Sequence, residues 1–191
     1  MNKQLGFFVN STRCTGCKTC EIACKDKNDL EVGTRFRRVL LFEGGKYPEP
    51  YSYTISLACN HCLKPTCVPV CPVDALEKRK EDGIVFYHYD RCIGCRRCEW
   101  ACPYGAPQWV TSDKKIKKCD FCYDYIDQGK PPACVASCPL RALEFGEVNE
   151  LEKKPDTQRE AKNFADIKLT QPSVIFKLHP EAKIEKEDKG K

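Results

Sequence analysis

The chain has 191 residues, a net charge of +5 and sixteen cysteines. Its length suits one or two small domains, and no stretch reaches the roughly 20 apolar residues of a membrane-spanning helix or provides the apolar run of a secretory signal. The modest charge, without a basic helix, also argues against nucleic-acid binding. Few apolar residues remain once the cysteines are set aside, so we expect metal or disulfides to stabilise the fold.

The N-terminal part contains a first group of cysteines and a predicted hairpin. A short strand is expected ahead of four cysteines that have the spacing C-x2-C-x2-C-x3-C. Residues 35–58 contain no cysteine and predict a β-hairpin with its turn at Gly44-Gly45. The cysteines of the first group are Cys14, Cys17, Cys20 and Cys24.

The middle of the chain contains two further groups. The second has four residues in its middle gap, and the third repeats the first spacing. Between them, residues 72–76 predict a short helix and residues 84–88 a strand. This unit resembles a bacterial two-cluster ferredoxin, so we predict one such module at residues 51–111. The cysteines are Cys59, Cys62, Cys67 and Cys71 in the second group and Cys92, Cys95, Cys98 and Cys102 in the third.

The last part of the chain contains a fourth group and a tail. Residues 140–148 predict the same helix–strand unit, and residues 151–191 form an extended tail with one apolar strand at 173–178. We expect the tail to pack along a partner subunit, with a solvated end as the alternative, and residues 181–191 to be disordered because almost all are charged. The fourth group, with eleven residues in its middle gap, is Cys119, Cys122, Cys134 and Cys138.

The repeated spacing predicts iron–sulfur chemistry. Three cysteines on a tight loop can bind three irons of one 4Fe–4S cluster, while the fourth begins a short helix and binds a neighbouring cluster. Proline follows the fourth cysteine in three of the four groups, where it removes an amide and sets the turn. Thiolates are the soft ligands that such clusters select. We therefore predict that the sixteen cysteines bind four 4Fe–4S clusters.

Two other uses of the cysteines are less consistent with this pattern. Disulfides would be expected in a secreted domain, and a thiol at every third residue gives poor geometry for bridges. Structural zinc uses isolated C-x2-C pairs, which would leave the third cysteine of each tight group unexplained. Spacing alone does not say which groups pair with which.

The cysteine loops resemble those of the iron–sulfur subunit of dimethyl sulfoxide reductase. The likeness covers roughly residues 5–180, in the same motif order. Related subunits serve polysulfide, thiosulfate, tetrathionate, arsenate and selenate reductases, so the family is better indicated than the substrate. The motifs that carry the likeness are CTGCKTC at residue 14, CNHC at 59, CIGCR at 92, ACPYGAP at 101 and SCPLRAL at 137.

The resemblance implies an α+β fold of two nested ferredoxin modules. The outer module, residues 1–50 and 112–150, carries the first and last groups and the inserted hairpin, and the inner module is residues 51–111. The resemblance also implies which cysteines share each cluster. These ligand sets are Cys14, Cys17, Cys20 and Cys138; Cys119, Cys122, Cys134 and Cys24; Cys59, Cys62, Cys67 and Cys102; and Cys92, Cys95, Cys98 and Cys71.

The same resemblance implies a non-catalytic subunit of an anaerobic respiratory complex. Its partners would be a catalytic subunit carrying molybdopterin guanine dinucleotide and a polytopic anchor that exchanges electrons with quinol. The Cys14 cluster would face the catalytic subunit and the Cys92 cluster the membrane. The expected location is the outer face of the cytoplasmic membrane, reached together with the catalytic partner, and the cytoplasm is the alternative.

Two departures from related subunits refine this prediction. Nitrate reductase has tryptophan at the position of Cys95 and a 3Fe–4S cluster, whereas the cysteine here predicts four cubanes. Membrane formate dehydrogenases end this subunit in a transmembrane helix, which this sequence lacks, so a separate anchor is favoured.

Several residues of the loops are candidates for lesser roles. Lys18, Arg96 and Arg97 could stabilise a reduced cluster or be solvated charges, and His61 is not needed as a ligand. Trp100 and Trp109 are predicted to pack over the third group. The rival functions are a free polyferredoxin, a subunit of a formate dehydrogenase or hydrogenase, and a zinc-stabilised interaction module.

Overall fold

The computed structural model describes residues 3–183, which form an α+β fold. Most elements are short, and the cysteine loops lie between them. The strands are β1 Leu5–Asn10, β2 Arg38–Lys46, β3 Glu49–Leu57, β4 Leu76–Lys78, β5 Val85–Tyr87, β6 Gln108–Val110, β7 Lys115–Lys117, β8 Leu143–Glu147 and β9 Val174–Lys177. The α-helices are α1 Thr19–Lys27, α2 Arg97–Ala101, α3 Tyr123–Ile126, α4 Ala133–Ala136 and α5 Val148–Glu152.

The central element is a three-stranded sheet in the order β8-β1-β9. All six residues of β1 are buried, as expected of a strand that is covered on both faces. It pairs antiparallel with β8, where Phe7 is opposite Phe145, and parallel with β9, where Phe7 is opposite Val174. The sheet therefore joins the N-terminal segment to two segments near the other end of the chain.

The tail differs from its prediction, because the described part of it packs on the chain itself. Ile175 and Phe176 in β9 are fully buried, and Phe176 also exchanges backbone hydrogen bonds with Gln158. The expectation that the apolar strand at 173–178 extends onto a partner was wrong: it becomes an edge of the central sheet. Disorder was predicted for residues 181–191, and of these, residues 184–191 lie outside the described range.

The predicted hairpin is present as β2 and β3, paired from Arg38 opposite Leu57 to Lys46 opposite Glu49. Its turn is at Tyr47-Pro48, and the turn predicted at Gly44-Gly45 was wrong. The pairing continues through both glycines, since a glycine in a strand weakens pairing without ending it.

The helices predicted after the second and fourth cysteine groups are absent from the described chain. Asp74 and Arg141, each three residues after the last cysteine of its group, adopt φ values of +47° and +51°, which a helix cannot include. In the first, third and fourth groups a short helix instead begins before the last cysteine. Cys20 and Cys24 lie in α1, Cys98 lies in α2, and Cys134 lies in α4.

We expect Phe176→Ala to destabilise the fold strongly. Removing a buried phenylalanine side chain costs about 3–5 kcal/mol, which in a chain of this size corresponds to about 10 °C in thermal midpoint. The measurement is the temperature at which cluster absorbance is lost under anaerobic conditions. Leu169→Ala is the control, because Leu169 is 58% exposed. Equal midpoints for the two variants would contradict the packing described for β9.

Candidate metal centres

The four cysteine loops share one backbone feature. The residue immediately before the second cysteine has a positive φ in every loop: +73° at Gly16, +42° at His61, +72° at Gly94 and +66° at Phe121. At Gly94 an added Cβ would lie 2.5 Å from the carbonyl oxygen of Lys114, so this loop also requires glycine for space. The loops therefore bend in the same way between their first two cysteines.

A second repeated feature follows the Cys-Pro pairs. The turn after Cys71 brings the backbone N–H of Ala75 to 3.2 Å from the Cys71 sulfur, and the turn after Cys138 does the same with Ala142 at 3.2 Å. An N–H that points at sulfur stabilises the thiolate form, in which cysteine binds metal. The missing helices are thus replaced by turns that donate a hydrogen bond to the last cysteine.

Three cavities are each lined by four cysteines. They have similar empty volumes of about 340 to 390 Å³, counting their openings to solvent, and their other walls are largely apolar. Each combines three cysteines of one group with the last cysteine of another. The Cys14 cavity contains Cys14, Cys17, Cys20 and Cys138; the Cys59 cavity contains Cys59, Cys62, Cys67 and Cys102; the Cys92 cavity contains Cys71, Cys92, Cys95 and Cys98.

The remaining four cysteines, which we call the Cys119 set, are all buried: Cys24, Cys119, Cys122 and Cys134. Helices α1 and α4 pack together, which brings Cys24 toward Cys134. Burial, and then the charge of Cys134, raise the pKa of Cys24 to about 12. The pKa of Cys122 is raised to about 11, chiefly by burial, with Cys134 again contributing. These thiols are therefore close neighbours.

The four sets can be placed in order from their shared elements. Cys20 of the Cys14 cavity and Cys24 of the Cys119 set lie on α1. Burial raises the pKa of Cys119, and after Cys24 the next contribution comes from Cys59, so the Cys119 set neighbours the Cys59 cavity. The Cys59 and Cys92 cavities share the second and third cysteine groups. The order is thus Cys14 cavity, Cys119 set, Cys59 cavity, Cys92 cavity.

Exposure separates the ends of this order from its interior. Cys17 and Cys95 are the exposed cysteines among the sixteen, and they belong to the Cys14 and Cys92 cavities. Both are the second cysteine of a group whose loop has glycine just before it. The two interior sets are covered by protein.

Burial raises the pKa of eight of the sixteen thiols and so makes them harder to ionise without metal. It raises the pKa of both Cys62 and Cys67 to about 12. At exposed Cys17 the shift is in the opposite direction, because a hydrogen bond from the Thr19 hydroxyl, at 3.4 Å, lowers its pKa. Because metal binding requires thiolates, loading these sites releases protons and couples metal binding to folding.

Two buried cations accompany the cysteines, and neither was identified from the sequence. Arg37 and Lys118 are each 1% exposed, and within residues 3–183 no carboxylate forms an ion pair with either. Lys118 lines the Cys59 cavity and donates to the carbonyl oxygen of Cys119 at 2.7 Å. The guanidinium of Arg37 has two buried nitrogens, Nε and Nη2, that have no hydrogen-bond partner in the described part of the chain. Unpaired cations beside buried thiols fit anionic iron–sulfur clusters, whose thiolate ligands supply the missing negative charge.

The cations proposed from the sequence lie at the surface. Arg96 pairs with Glu99 at 2.7 Å and is about half exposed. Lys18 lines the Cys14 cavity but is exposed, and Arg97 is exposed as well. No pattern in the chain could have revealed Arg37 instead, because it belongs to no cysteine group and its place depends on long-range packing.

The other residues singled out from the sequence have distinct environments. His61 is fully buried and its Nδ1 accepts the N–H of Val85 at 3.0 Å, and burial keeps its pKa well below the usual value. It is therefore a neutral packing residue. Trp109 packs against the Cys92 region as predicted, whereas Trp100 is 75% exposed and its predicted packing role was wrong.

Comparison with known proteins agrees with this geometry. A family described as a 4Fe-4S dicluster domain matches residues 51–148, and a 4Fe-4S binding domain matches residues 11–29. The chain is 47% identical over 185 residues to one polypeptide of the anaerobic dimethyl sulfoxide reductase of Escherichia coli, covering 93% of this chain and 90% of the relative. It is 39% identical to a subunit of the sulfite dehydrogenase of Allochromatium vinosum (81% and 72% covered) and 35% identical to the formate dehydrogenase iron–sulfur subunit of Wolinella succinogenes (76% and 82%).

These relatives match three quarters or more of the chain. Both ferredoxin-type matches fall on cysteine loops, and the relatives are named as components of oxidoreductases. The chain therefore belongs to the family of iron–sulfur electron-transfer subunits of dimethyl sulfoxide reductase-type molybdoenzymes, in which it is a non-catalytic subunit.

Proposed function

We propose that this chain relays electrons through four 4Fe–4S clusters between a quinol-linked membrane anchor and a catalytic subunit that carries molybdopterin guanine dinucleotide. Bound clusters supply one-electron transfer, and the chain supplies their positions, charges and shielding from water. The observation that carries the proposal is the sequence of four cysteine sets with an exposed set at each end. A relay needs an entry and an exit at the surface and a covered path between them.

The three cavities support the nested pairing of ligands. Each combines three cysteines of one group with the last cysteine of its proposed partner group, and the Cys119 set collects the four that remain. Pairing the first group with the second would require Cys71 near Cys14, whereas Cys71 lines the Cys92 cavity. The proposed outer module therefore combines the first and fourth groups, and the inner module the second and third.

Exposed apolar residues beside the two end sets support docking of partner subunits. Ile93 is 63% exposed and Trp100 is 75% exposed; Ile93 lines the Cys92 cavity. Leu41 is 58% exposed on β2, two residues from Val39 of the Cys14 cavity, so both point to the same face of the hairpin. Apolar side chains exposed at a redox site mark interaction surfaces. We assign the Cys92 side to the anchor and the Cys14 side to the catalytic subunit.

No helix within residues 3–183 is long and apolar enough to span a membrane. Attachment to the cytoplasmic membrane through an anchor subunit, at its outer face, is part of the proposal. The relative from Escherichia coli is named for anaerobic dimethyl sulfoxide reductase, and we propose a complex of that type in anaerobic respiration. Since other relatives are named for sulfite and formate dehydrogenases, the second candidate is the same relay serving one of those reactions.

The number of clusters is tested by analysis of protein purified without oxygen. Sixteen thiolates at four per cubane predict about sixteen irons and about sixteen acid-labile sulfides per chain. Because the buried thiols form much of the core, removal of the iron should also unfold the chain, as seen in its circular dichroism. Zinc in place of iron, or about half the iron without cluster absorbance, would contradict the proposal.

The proposed path of electrons through the Cys92 cavity is tested by replacing Cys95. We expect Cys95→Ser to convert one cubane into a 3Fe–4S cluster, visible by electron paramagnetic resonance, because the exposed ligand can be lost without disturbing the core. A 3Fe–4S cluster usually takes up its electron at higher potential, so quinol-dependent turnover should fall sharply while turnover with a dye that reduces the catalytic subunit directly persists.

Two outcomes would contradict that path. Unchanged quinol-dependent turnover would place the Cys92 set off the path, and equal loss of both activities would assign Cys95 to assembly of the complex. Cys17→Ser is the matched variant, because Cys17 is the exposed second cysteine of the Cys14 cavity, at the other end of the order of cysteine sets.

The two docking surfaces are tested by a reciprocal pair of variants. Trp100→Glu should release the complex from the membrane fraction while the catalytic subunit still copurifies, because a charge is buried at the anchor contact. Leu41→Glu should do the opposite and lose the catalytic subunit. Iron content serves as the control for folding in both. The same partner lost from both variants, or the assignments reversed, would contradict the orientation of the chain.

A further inference from the structure

Arg37 occupies the junction between the Cys14 cavity and the Cys119 set. Its Nη1 donates to the backbone carbonyl and the hydroxyl oxygen of Ser56, both at 3.2 Å. That hydroxyl lies 3.4 Å from the sulfur of Cys20. The face of the guanidinium lies 4.6 Å from the centre of the Phe7 ring. The side chain is thus held in one position by β1 and β3, next to a cysteine of the first set.

Among the described residues, cysteines are the groups whose negative charge acts on Arg37. Within residues 3–183 no carboxylate forms an ion pair with it, and the nearby buried acid Glu21 faces Arg35 at 3.7 Å. Burial lowers the pKa of Arg37, yet negative charge on neighbouring cysteines of both sets raises it above its usual value. These cysteines are Cys134, Cys119, Cys20 and Cys24.

Two of the three guanidinium nitrogens of Arg37 also donate no hydrogen bond within the described residues. Its Nε and Nη2 are buried without a partner in the described part of the chain. A buried donor without a partner costs free energy comparable to a lost hydrogen bond, and a buried cation without a counter-charge costs more. Both costs are removed if anionic sulfur lies in the adjoining sites.

We propose that Arg37 is the shared counter-ion of the two outer-module clusters and that it raises the reduction potential of both. The inference rests on the ligand sets of the proposed function. Reduction adds one negative charge to a cluster, so a fixed buried cation between two clusters favours the reduced form of each. Because it faces both, Arg37 shifts the two potentials in the same direction.

Two other cations provide comparisons within the same chain. Arg96 belongs to a cysteine loop but is exposed and already paired with Glu99, so solvent and the carboxylate weaken its effect. Lys118 is buried at the next junction, where its charge lowers the pKa of Cys67, opposing the larger effect of burial. Lys118 therefore acts between the Cys119 set and the Cys59 cavity, whereas Arg37 acts between the Cys14 cavity and the Cys119 set.

The test is a redox titration followed by electron paramagnetic resonance on the complex purified anaerobically with its partner subunits. Arg37→Gln removes the charge and keeps N–H donors, and Arg37→Lys keeps the charge. In Arg37→Gln, at a fixed ambient potential, we expect the ratio of reduced to oxidised cluster to fall at least tenfold for two of the four clusters, which is 59 mV for one electron. Arg37→Lys should change these ratios less, and the control Arg96→Gln should leave the same two clusters unchanged.

The results of these variants decide for or against the proposal. Unshifted clusters in Arg37→Gln with full iron content would refute it and leave the relay intact, and a shift of only one cluster would refute the shared role. Iron lost from Arg37→Gln but kept in Arg37→Lys supports the counter-ion, whereas equal loss from both assigns Arg37 to packing. If the unmodified chain shows no reducible clusters, the proposed function itself fails.

Discussion

The fold depends on the convergence of thiols from distant parts of the chain. Cys20, Cys24, Cys59, Cys119 and Cys134 belong to the same buried core as the residues of the central sheet. As thiols they contribute small apolar side chains, and as thiolates they would repel one another in a medium of low dielectric constant. A bound metal cluster would satisfy both the packing and the charge, so we expect cluster binding to be coupled to folding.

The charges inside the molecule follow from that requirement. In most proteins a buried arginine or lysine is paired with a carboxylate. Here the buried cations Arg37 and Lys118 lie next to cysteines, and the carboxylates of the described chain pair with more exposed cations such as Arg96 and Lys153. The interior is therefore suited to the negative charge that these cysteines carry as the thiolate ligands of bound clusters.

The sequence predicted the chemistry better than it predicted the elements. The ligand motifs are local, since only two to four residues separate most neighbouring cysteines of a group, and this spacing is readable without a structure. The strand at 173–178 was recognised, but its partner β1 lies near the opposite end of the chain, so its place in the sheet was not. The hairpin turn and the helices after Cys71 and Cys138 were misplaced because a positive φ at a residue such as Asp74 leaves no clear compositional mark.

The four loops show how one backbone geometry is adapted to different surroundings. Loops whose second cysteine is exposed have glycine at the positive φ, whereas the interior loops have His61 and Phe121. A side chain at such a φ costs roughly 1–2 kcal/mol, which burial must offset. The two rings meet edge to face with centroids 5.1 Å apart, and Phe121 stacks on Phe7 at 4.2 Å.

The packed rings of His61, Phe121 and Phe7, which we call the aromatic column, explain why the interior loops tolerate the strained φ. Phe7, between Phe121 and the Arg37 guanidinium, connects the column to the central sheet, so the loops of the Cys59 cavity and the Cys119 set are packed against a common support. The surface loops have no such column and rely on glycine. The residue before the second cysteine thus indicates whether that cysteine is exposed or covered by protein, a distinction that the repeated cysteine spacing alone does not show.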